Sequence, residues 1–182
     1  MRIISGKYRG KRLFLPPEKS VRPTTDRTKE SLFCILQAEI AGASVLDLFS
    51  GSGALGLECL SRGAARVVFS DVDTRHVKKN LGFVGETNYR VIQASFEKVL
   101  NILAADGETF DLIFLDPPYR SALGEAAIAA IGEKRLLNAD GKIIFEHFCD
   151  KELKDLRDYV TIYDRRVYGT QAISFLKAKA DE

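Results

Sequence analysis

The chain has 182 residues, of which 46% are hydrophobic and 29% charged, a composition that suits one globular domain. No apolar run approaches the ~18 residues of a membrane span, and the start, MRIISGKYRG, has no apolar signal-peptide core. The isolated cysteines 34, 59 and 149 form no CxxC pair, which argues against a disulfide framework or a metal site. We therefore expect a reduced, cytoplasmic monomer with no metal and no membrane partner.

The basic residues are concentrated at the N terminus, although the net charge is only +2. Residues 1–29 carry nine Lys and Arg against two acidic residues, whereas the remainder carries 18 against 23. A basic segment on a mildly acidic body suggests a polyanionic partner that is met on one side. A solvated surface hairpin without any partner would have the same composition, and charge alone does not separate the two.

The N-terminal stretch RIISGKYRGKRLFL has a turn signal at Gly6-Lys7 and predicts a β-hairpin or an irregular basic ribbon. Prolines at positions 16, 17 and 23 then interrupt the chain. Thr25 or Asp26 can cap a helix that runs to about Glu39. The apolar face of that helix would include Leu32, Phe33, Ile35 and Leu36.

From Ser44 onward, strands and helices alternate. The predicted strands are SVLDLF, ARVVFSD, YRVIQA, FDLIFLD and GKIIFEH, with helices near 54–63, 74–84, 96–104, 121–132 and 150–157. A closing pair of strands, YVTIYDRRVYGTQAISFLKA, turns near Gly169. This order predicts an α/β fold with a mostly parallel seven-stranded sheet and an antiparallel C-terminal hairpin. We expect a single domain over 1–182, with an extension (1–40) and a Rossmann-like core (44–182).

The stretch Gly51-Ser52-Gly53-Ala54-Leu55-Gly56 follows a strand and opens a helix, which is the setting of a nucleotide-binding loop. Asp71, 20 residues after Gly51, is placed to accept hydrogen bonds from both hydroxyls of a ribose. The alternative is that these glycines bind no ligand and only allow the helix to pack closely on the strand. Asp47 would repel a pyrophosphate and would suit the amino group of S-adenosylmethionine, which favours this cofactor over NAD; alternatively, Asp47 only braces the loop.

The fourth strand ends in Asp116-Pro117-Pro118-Tyr119. The prolines lack an N–H and stiffen the turn, and the carboxylate accepts but does not donate hydrogen bonds. A rigid group of acceptors suits the exocyclic amine of a nucleobase, on which Tyr119 would stack once the base is accessible. The pattern predicts methyl transfer to such an amine, and a proline-rich turn with a buried tyrosine is the alternative.

Four stretches carry a resemblance to RsmD-type 16S rRNA (guanine-N2)-methyltransferases: RPTTDRTKESLFCIL (22–36), VLDLFSGSGALGLECLSRGA (45–64), IFLDPPY (113–119) and YGTQAISF (168–175). The resemblance implies a class I methyltransferase fold and S-adenosylmethionine as the donor. It also implies a guanine of 16S rRNA as the target, within a partly assembled small ribosomal subunit. An N6-adenine or other amino-methyltransferase acting on DNA or RNA, an NAD-dependent oxidoreductase and a non-catalytic RNA-binding module are the alternatives.

The resemblance also assigns roles to single residues. It places Asp47, Gly51 and Gly53 at the methionine end of the donor and Asp71 at the ribose, and it puts Ser95 where an adenine contact is expected. The residues implied to contact RNA are Lys7, Arg9, Lys11, Arg12, Arg22 and Arg27; Arg27 alternatively pairs with Glu30.

Overall fold

A computed structural model of the chain describes residues 1–15, 26–118, 121–153, 156 and 159–179. Its helices are α1 (Asp26–Ile35), α2 (Gln37–Ile40), α3 (Ala54–Ser61), α4 (Arg75–Leu81), α5 (Phe96–Ala105) and α6 (Leu123–Glu133). Its strands are β1 (Ser44–Leu48), β2 (Arg66–Asp71), β3 (Tyr89–Gln93), β4 (Phe110–Leu115), β5 (Leu137–Phe148), β6 (Val160–Tyr168) and β7 (Gln171–Ala178). No helix in these ranges is long and apolar enough to cross a membrane.

The strands form one seven-stranded sheet in the order β3-β2-β1-β4-β5-β7-β6. The β1–β2, β2–β3 and β4–β5 pairs are parallel, whereas β7 runs antiparallel to both β5 and β6. The predicted mostly parallel sheet with an antiparallel C-terminal hairpin is therefore confirmed. The chain divides into two compact units, 1–94 and 95–182, and the single domain stays a prediction.

The first unit contains the predicted basic segment as an irregular two-stranded ribbon, residues 1–15, which we call the N-terminal ribbon. The Ile3 N–H donates to the Lys11 carbonyl at 2.9 Å and the Leu13 N–H donates to the Met1 carbonyl at 3.1 Å. One isolated antiparallel bridge joins Arg2 to Arg12. The prediction of a hairpin-like basic extension is thus confirmed.

A buried carboxylate fixes the N-terminal ribbon to α3. Glu58 is fully buried, and its oxygens accept from the Ile4 N–H at 2.8 Å and the Ser5 N–H at 3.0 Å. The same carboxylate pairs with Lys29 and with Arg62, each at 2.8 Å, and the Lys29 side chain is also fully buried. Burial alone would raise the pKa of Glu58, but the neighbouring Lys29 ammonium and the donated hydrogen bonds outweigh it and lower that pKa. Ribbon, α1 and α3 are thereby joined at one point.

The helix predicted from residue 26 to residue 39 is interrupted. It ends at Ile35, and the short α2 begins at Gln37. Leu32, Phe33 and Leu36 are buried as predicted, but Ile35 is 40% exposed. At about 100° of rotation per residue, Ile35 lies roughly 110° from the centre of that apolar face, so it points away from the core.

The second unit departs from the prediction in two places. β5 begins at Leu137, before the Asp140-Gly141 turn signal, because Leu137 pairs with Phe110 and a register shift then absorbs the turn residues within the strand. The helix predicted near 150–157 is wrong for residues 151–153, which carry no regular structure. Residues 154, 155 and 157 of that prediction lie outside the described ranges.

Candidate active site

The loop between β1 and α3 is a tight turn built on left-handed backbone. Gly51 and Gly53 have φ of 53° and 77°, and Phe49 has φ of 65°. A bulky side chain in this region costs of order 1–3 kcal/mol, so the surroundings must hold Phe49 in place. The turn is closed by the Gly53 N–H, which donates to the Ser50 carbonyl at 2.7 Å. We call residues 49–53 the glycine loop.

Gly56 allows α3 to lie close against β2. A Cβ at this position would stand 2.3 Å from Cε1 of Phe69, a buried residue in the middle of β2. Real Cβ atoms do not approach carbon this closely, so any side chain would push the helix off the strand. At this position the structure thus shows the helix-to-strand packing that was the alternative interpretation of the glycines, and a ligand at the loop stays a prediction.

Asp47 lies within β1 and is only 2% exposed. Its Oδ2 accepts from the Gly56 N–H at 2.9 Å, which satisfies one of the unpaired donors at the start of α3. The structure therefore shows the bracing contact that was the alternative for this residue. A role of Asp47 toward the amino group of a donor stays a prediction.

Asp71, the last residue of β2, holds the glycine loop directly. Its Oδ2 accepts from the Gly51 N–H at 2.8 Å and its Oδ1 accepts from the Asp73 N–H at 3.1 Å. Each carboxylate oxygen has a second lone pair, so the side chain can hold these two backbone groups and still accept from two ligand hydroxyls. The contact explains the spacing between Gly51 and Asp71, and the ribose role stays a prediction.

Two hydroxyls, one in the glycine loop and one in the adjoining β2, are buried without a hydrogen-bond partner in the described part of the chain. They belong to Ser50 and Ser70, which are 7% and 1% exposed. The backbones of the two residues are joined, since the Ser50 N–H donates to the Ser70 carbonyl at 2.8 Å. Buried hydroxyls without partners are uncommon in native structures. Their presence here fits a loop that receives a polar ligand.

Asn80 connects the glycine loop to the N-terminal ribbon and was not singled out in the sequence. It is 1% exposed, and its Nδ2 donates to the Ser52 carbonyl at 2.8 Å and to the Phe14 carbonyl at 2.9 Å. Its Oδ1 accepts from the Phe14 N–H at 2.8 Å. A lone asparagine in a helical segment gives no sequence signal, because its partners are 28 and 66 residues away.

In the second unit, β4 ends at Leu115 and the Asp116-Pro117-Pro118 turn follows. Pro117 is buried, Asp116 is half-buried and Pro118 is exposed. The Pro118 carbonyl accepts from the Ser121 hydroxyl at 2.6 Å, and Lys151 Nζ donates to the Ser121 carbonyl at 2.8 Å. These bonds anchor the chain after the turn at Ser121, and the pairing of β4 with β5 anchors the chain before it. Tyr119, the predicted stacking residue, lies outside the described residues.

Ser95, the predicted adenine contact, stands at the N-cap position of α5. It is half-buried, and its hydroxyl makes no capping hydrogen bond to the helix. The hydroxyl therefore does not cap the start of the helix, and the adenine contact stays a prediction.

The cations of the N-terminal ribbon differ in their surroundings. Lys7 pairs with the Glu86 carboxylate, whose hydrogen bond raises the pKa of Lys7. Arg9, Lys11 and Arg12 are exposed, with Lys11 Nζ lying 5.6 Å from the centre of the Phe83 ring. Of the two remaining predicted RNA contacts, Arg27 is exposed at the start of α1, and Arg22 lies outside the described residues.

The sequence of this chain is similar to one protein family and to named bacterial proteins, and this similarity agrees with the fold and the motifs described above. The family model described as Conserved hypothetical protein 95 matches residues 1–177. Ribosomal RNA small subunit methyltransferase D of Escherichia coli is 34% identical over 183 residues, which cover 99% of this chain and 91% of that protein. The chain belongs to the family that this model describes. The protein of the same name from Haemophilus influenzae is 37% identical over 165 residues, covering 84% and 81% of the two chains.

A solved structure shows the same architecture. The Escherichia coli protein yhhF, a candidate methyltransferase, superposes with a TM-score of 0.83 at 33% identity, covering 100% of this chain and 99% of that one. The family predicted from the four motifs is therefore confirmed, and so is the class I methyltransferase fold.

Proposed function

We propose that this protein uses S-adenosylmethionine to methylate the exocyclic N2 amine of a guanine in 16S rRNA. The observation that carries the proposal is the rigid Asp116-Pro117-Pro118 turn at the end of β4, in a chain related over its whole length to a protein named as a small-subunit rRNA methyltransferase. The donor supplies an electrophilic methyl group. The residues of this chain hold the donor and orient the accepting amine.

The first unit offers the groups that a donor nucleoside and amino acid need. Asp71 has lone pairs for the ribose hydroxyls while it holds Gly51. The backbone of Gly51 and Gly53 forms the tight turn that would receive the donor, and Asp47 accepts from the Gly56 N–H at the start of the following helix. The unpartnered hydroxyls of Ser50 and Ser70 add buried polarity next to that loop. This set of acceptors fits a ligand that carries hydroxyls and an ammonium group.

Asp116 would accept a hydrogen of the base amine, with a backbone carbonyl of the turn accepting the other. Accepting both hydrogens draws the nitrogen lone pair out of conjugation with the ring and directs it at the methyl group. Fixed geometry of this kind removes several kcal/mol of barrier, so position rather than strong base catalysis carries the rate. The methylated amine then releases its proton readily.

Comparison of Asp116→Ala with Asp140→Ala tests the proposal. Asp140 is an exposed aspartate of β5, so its removal controls for a general loss of charge. Each variant is incubated with labelled donor and with 16S rRNA, either naked or in partly assembled small subunits. We expect Asp116→Ala to abolish transfer but retain donor binding by calorimetry, and Asp140→Ala to behave as the unmodified protein. Transfer by Asp116→Ala at the normal rate would refute the mechanism.

The turn suits any exocyclic amine, so an N6-adenine amine of DNA or of another RNA is the second candidate. Mass-spectrometric mapping of the methylated nucleotide separates the two. A product at guanine N2 in 16S rRNA supports the first, and N6-methyladenine supports the second.

A further inference from the structure

Phe14 is an exposed aromatic residue at the end of the N-terminal ribbon. It is 53% exposed, and Lys79 Nζ lies 3.6 Å from the centre of its ring. Such close contact indicates a cation–π interaction that holds the ring in one orientation. More than half of the residue remains exposed, so part of it is accessible to a ligand.

The backbone of Phe14 is held as firmly as its ring. Both its N–H and its carbonyl are bound by the buried amide of Asn80, at 2.8 and 2.9 Å. Asn80 also binds the Ser52 carbonyl at 2.8 Å, so Phe14 is tied to the glycine loop through one side chain. The solubility of the protein does not require that both backbone groups of an exposed phenylalanine be hydrogen-bonded to one buried side chain. The arrangement presents a rigid ring at a fixed distance from the glycine loop.

The charge around Phe14 is positive. Lys11 and Arg12 precede it on the ribbon, both exposed, and Lys79 lies over its ring with Lys78 next to it in α4. Cations that hold phosphates, combined with an aromatic face for a base, are how proteins bind single-stranded nucleic acid without reading its sequence. A protein partner with an apolar pocket would not need this cluster of cations.

We propose that Phe14, backed by Lys79, is a stacking platform for an unpaired nucleobase of the RNA, outside the target base itself. This inference rests on the proposed function, because it assumes an RNA substrate. It adds to that function a contact that would hold a neighbouring nucleotide while the target amine is presented. Base–aromatic stacking contributes ~1–3 kcal/mol per base, so loss of the stack corresponds to roughly 5- to 150-fold in affinity.

The test compares Phe14→Leu with Phe14→Trp. Leucine keeps an apolar side chain but removes the flat ring, and tryptophan restores a ring. Binding of a short single-stranded RNA, and of the same sequence annealed as a duplex, is measured by fluorescence anisotropy at several salt concentrations. We expect Phe14→Leu to bind the single strand about tenfold more weakly and the duplex unchanged, and Phe14→Trp to bind like the unmodified protein. Tyr163→Leu, the same kind of change at a 44% exposed aromatic of β6, should have no effect.

The salt dependence separates stacking from general damage to the ribbon. Phosphate contacts set the slope of log affinity against log salt, whereas a stack does not, so Phe14→Leu should lower affinity without changing that slope. The inference would be overturned by a flattened slope or by equal losses of affinity in the leucine and tryptophan variants. It would also be overturned by an unchanged affinity in the leucine variant, or by a lack of single-strand binding in the unmodified protein. Methyl transfer by Phe14→Leu at saturating 16S rRNA reports on the proposed function independently: transfer that persists there upholds it whatever the outcome for stacking.

Discussion

Replacing Glu58 with glutamine tests how the N-terminal ribbon is held. The change keeps the shape of the side chain but removes the charge that faces Lys29, and both side chains are fully buried. Removing one partner of a buried ion pair leaves an uncompensated charge and costs about 3–5 kcal/mol. The acceptor for the Ile4 and Ser5 N–H groups is weakened at the same time. A loss of that size is a large fraction of a typical 5–15 kcal/mol stability and corresponds to ~6–20 °C in Tm for a chain of this length.

Urea unfolding followed by circular dichroism would measure the loss, and its pH dependence identifies the cause. The pKa of Glu58 is lowered in the folded protein from its ordinary value of 4.5. The carboxylate therefore stabilises the fold fully above about pH 4.5, and this contribution is lost as pH falls through the lower folded pKa. The difference in the free energy of unfolding between the unmodified protein and Glu58→Gln should shrink as pH falls below about 4.5.

Two further variants complete this experiment. Glu86→Gln removes the carboxylate of the exposed pair with Lys7 and should leave the unfolding midpoint nearly unchanged, because water screens that pair. Combining Lys29→Met with Glu58→Gln removes both buried charges and should recover part of the stability that Glu58→Gln alone loses. An exposed ion pair contributes roughly 1 kcal/mol or less. If the free energy of unfolding of Glu58→Gln lies within about 1 kcal/mol of that of the unmodified protein, the buried pair does not fix the ribbon.

Two other predictions concern the N-terminal ribbon. Gly6→Ala should strongly lower Tm, because Gly6 has φ of +82° and a Cβ there would stand 1.8 Å from the Ser61 carbonyl oxygen. Gly10 has a similar φ of +85°, but a Cβ there would have no neighbour within 4 Å, so Gly10→Ala should cost only the backbone strain. Similar Tm values for the two variants in differential scanning calorimetry would contradict this close approach. Neutralising Lys7, Arg9, Lys11 and Arg12 together should weaken 16S rRNA binding and flatten its salt dependence; an unchanged slope in filter-binding assays would exclude these residues as phosphate contacts.

Much of the architecture could be predicted because its signals are local. The alternation of buried strands with helices follows from residue periodicity, so six of the seven strands are found within about two residues of their predicted ends. Three predictions differ from the structure: β5, where a turn signal lies within the strand, the helix predicted to Glu39, which ends at Ile35, and the helix predicted near 150–157, of which residues 151–153 carry no regular structure. In β5, pairing of Leu137 with the distant Phe110 overrode the local turn preference.

The glycine loop and the Asp116-Pro117-Pro118 turn were also visible in the sequence, since each is a compact motif at the end of a strand. The spacing of Asp71 from Gly51 pointed to a shared role, and the structure adds the hydrogen bond that joins them. That bond could not be read from spacing, which indicates that two groups are near each other but not which atom binds which.

The sequence by itself therefore determined the order of the elements, the sheet and the motifs at its strand ends, because these depend on side chains close together in the chain. Tertiary structure alone decided the roles of Glu58, which binds Ile4 from 54 residues away, and of Asn80, which binds Phe14 from 66. The physical reason is that a buried polar group must find a partner, while packing, and not its own neighbours in sequence, decides which partner it meets.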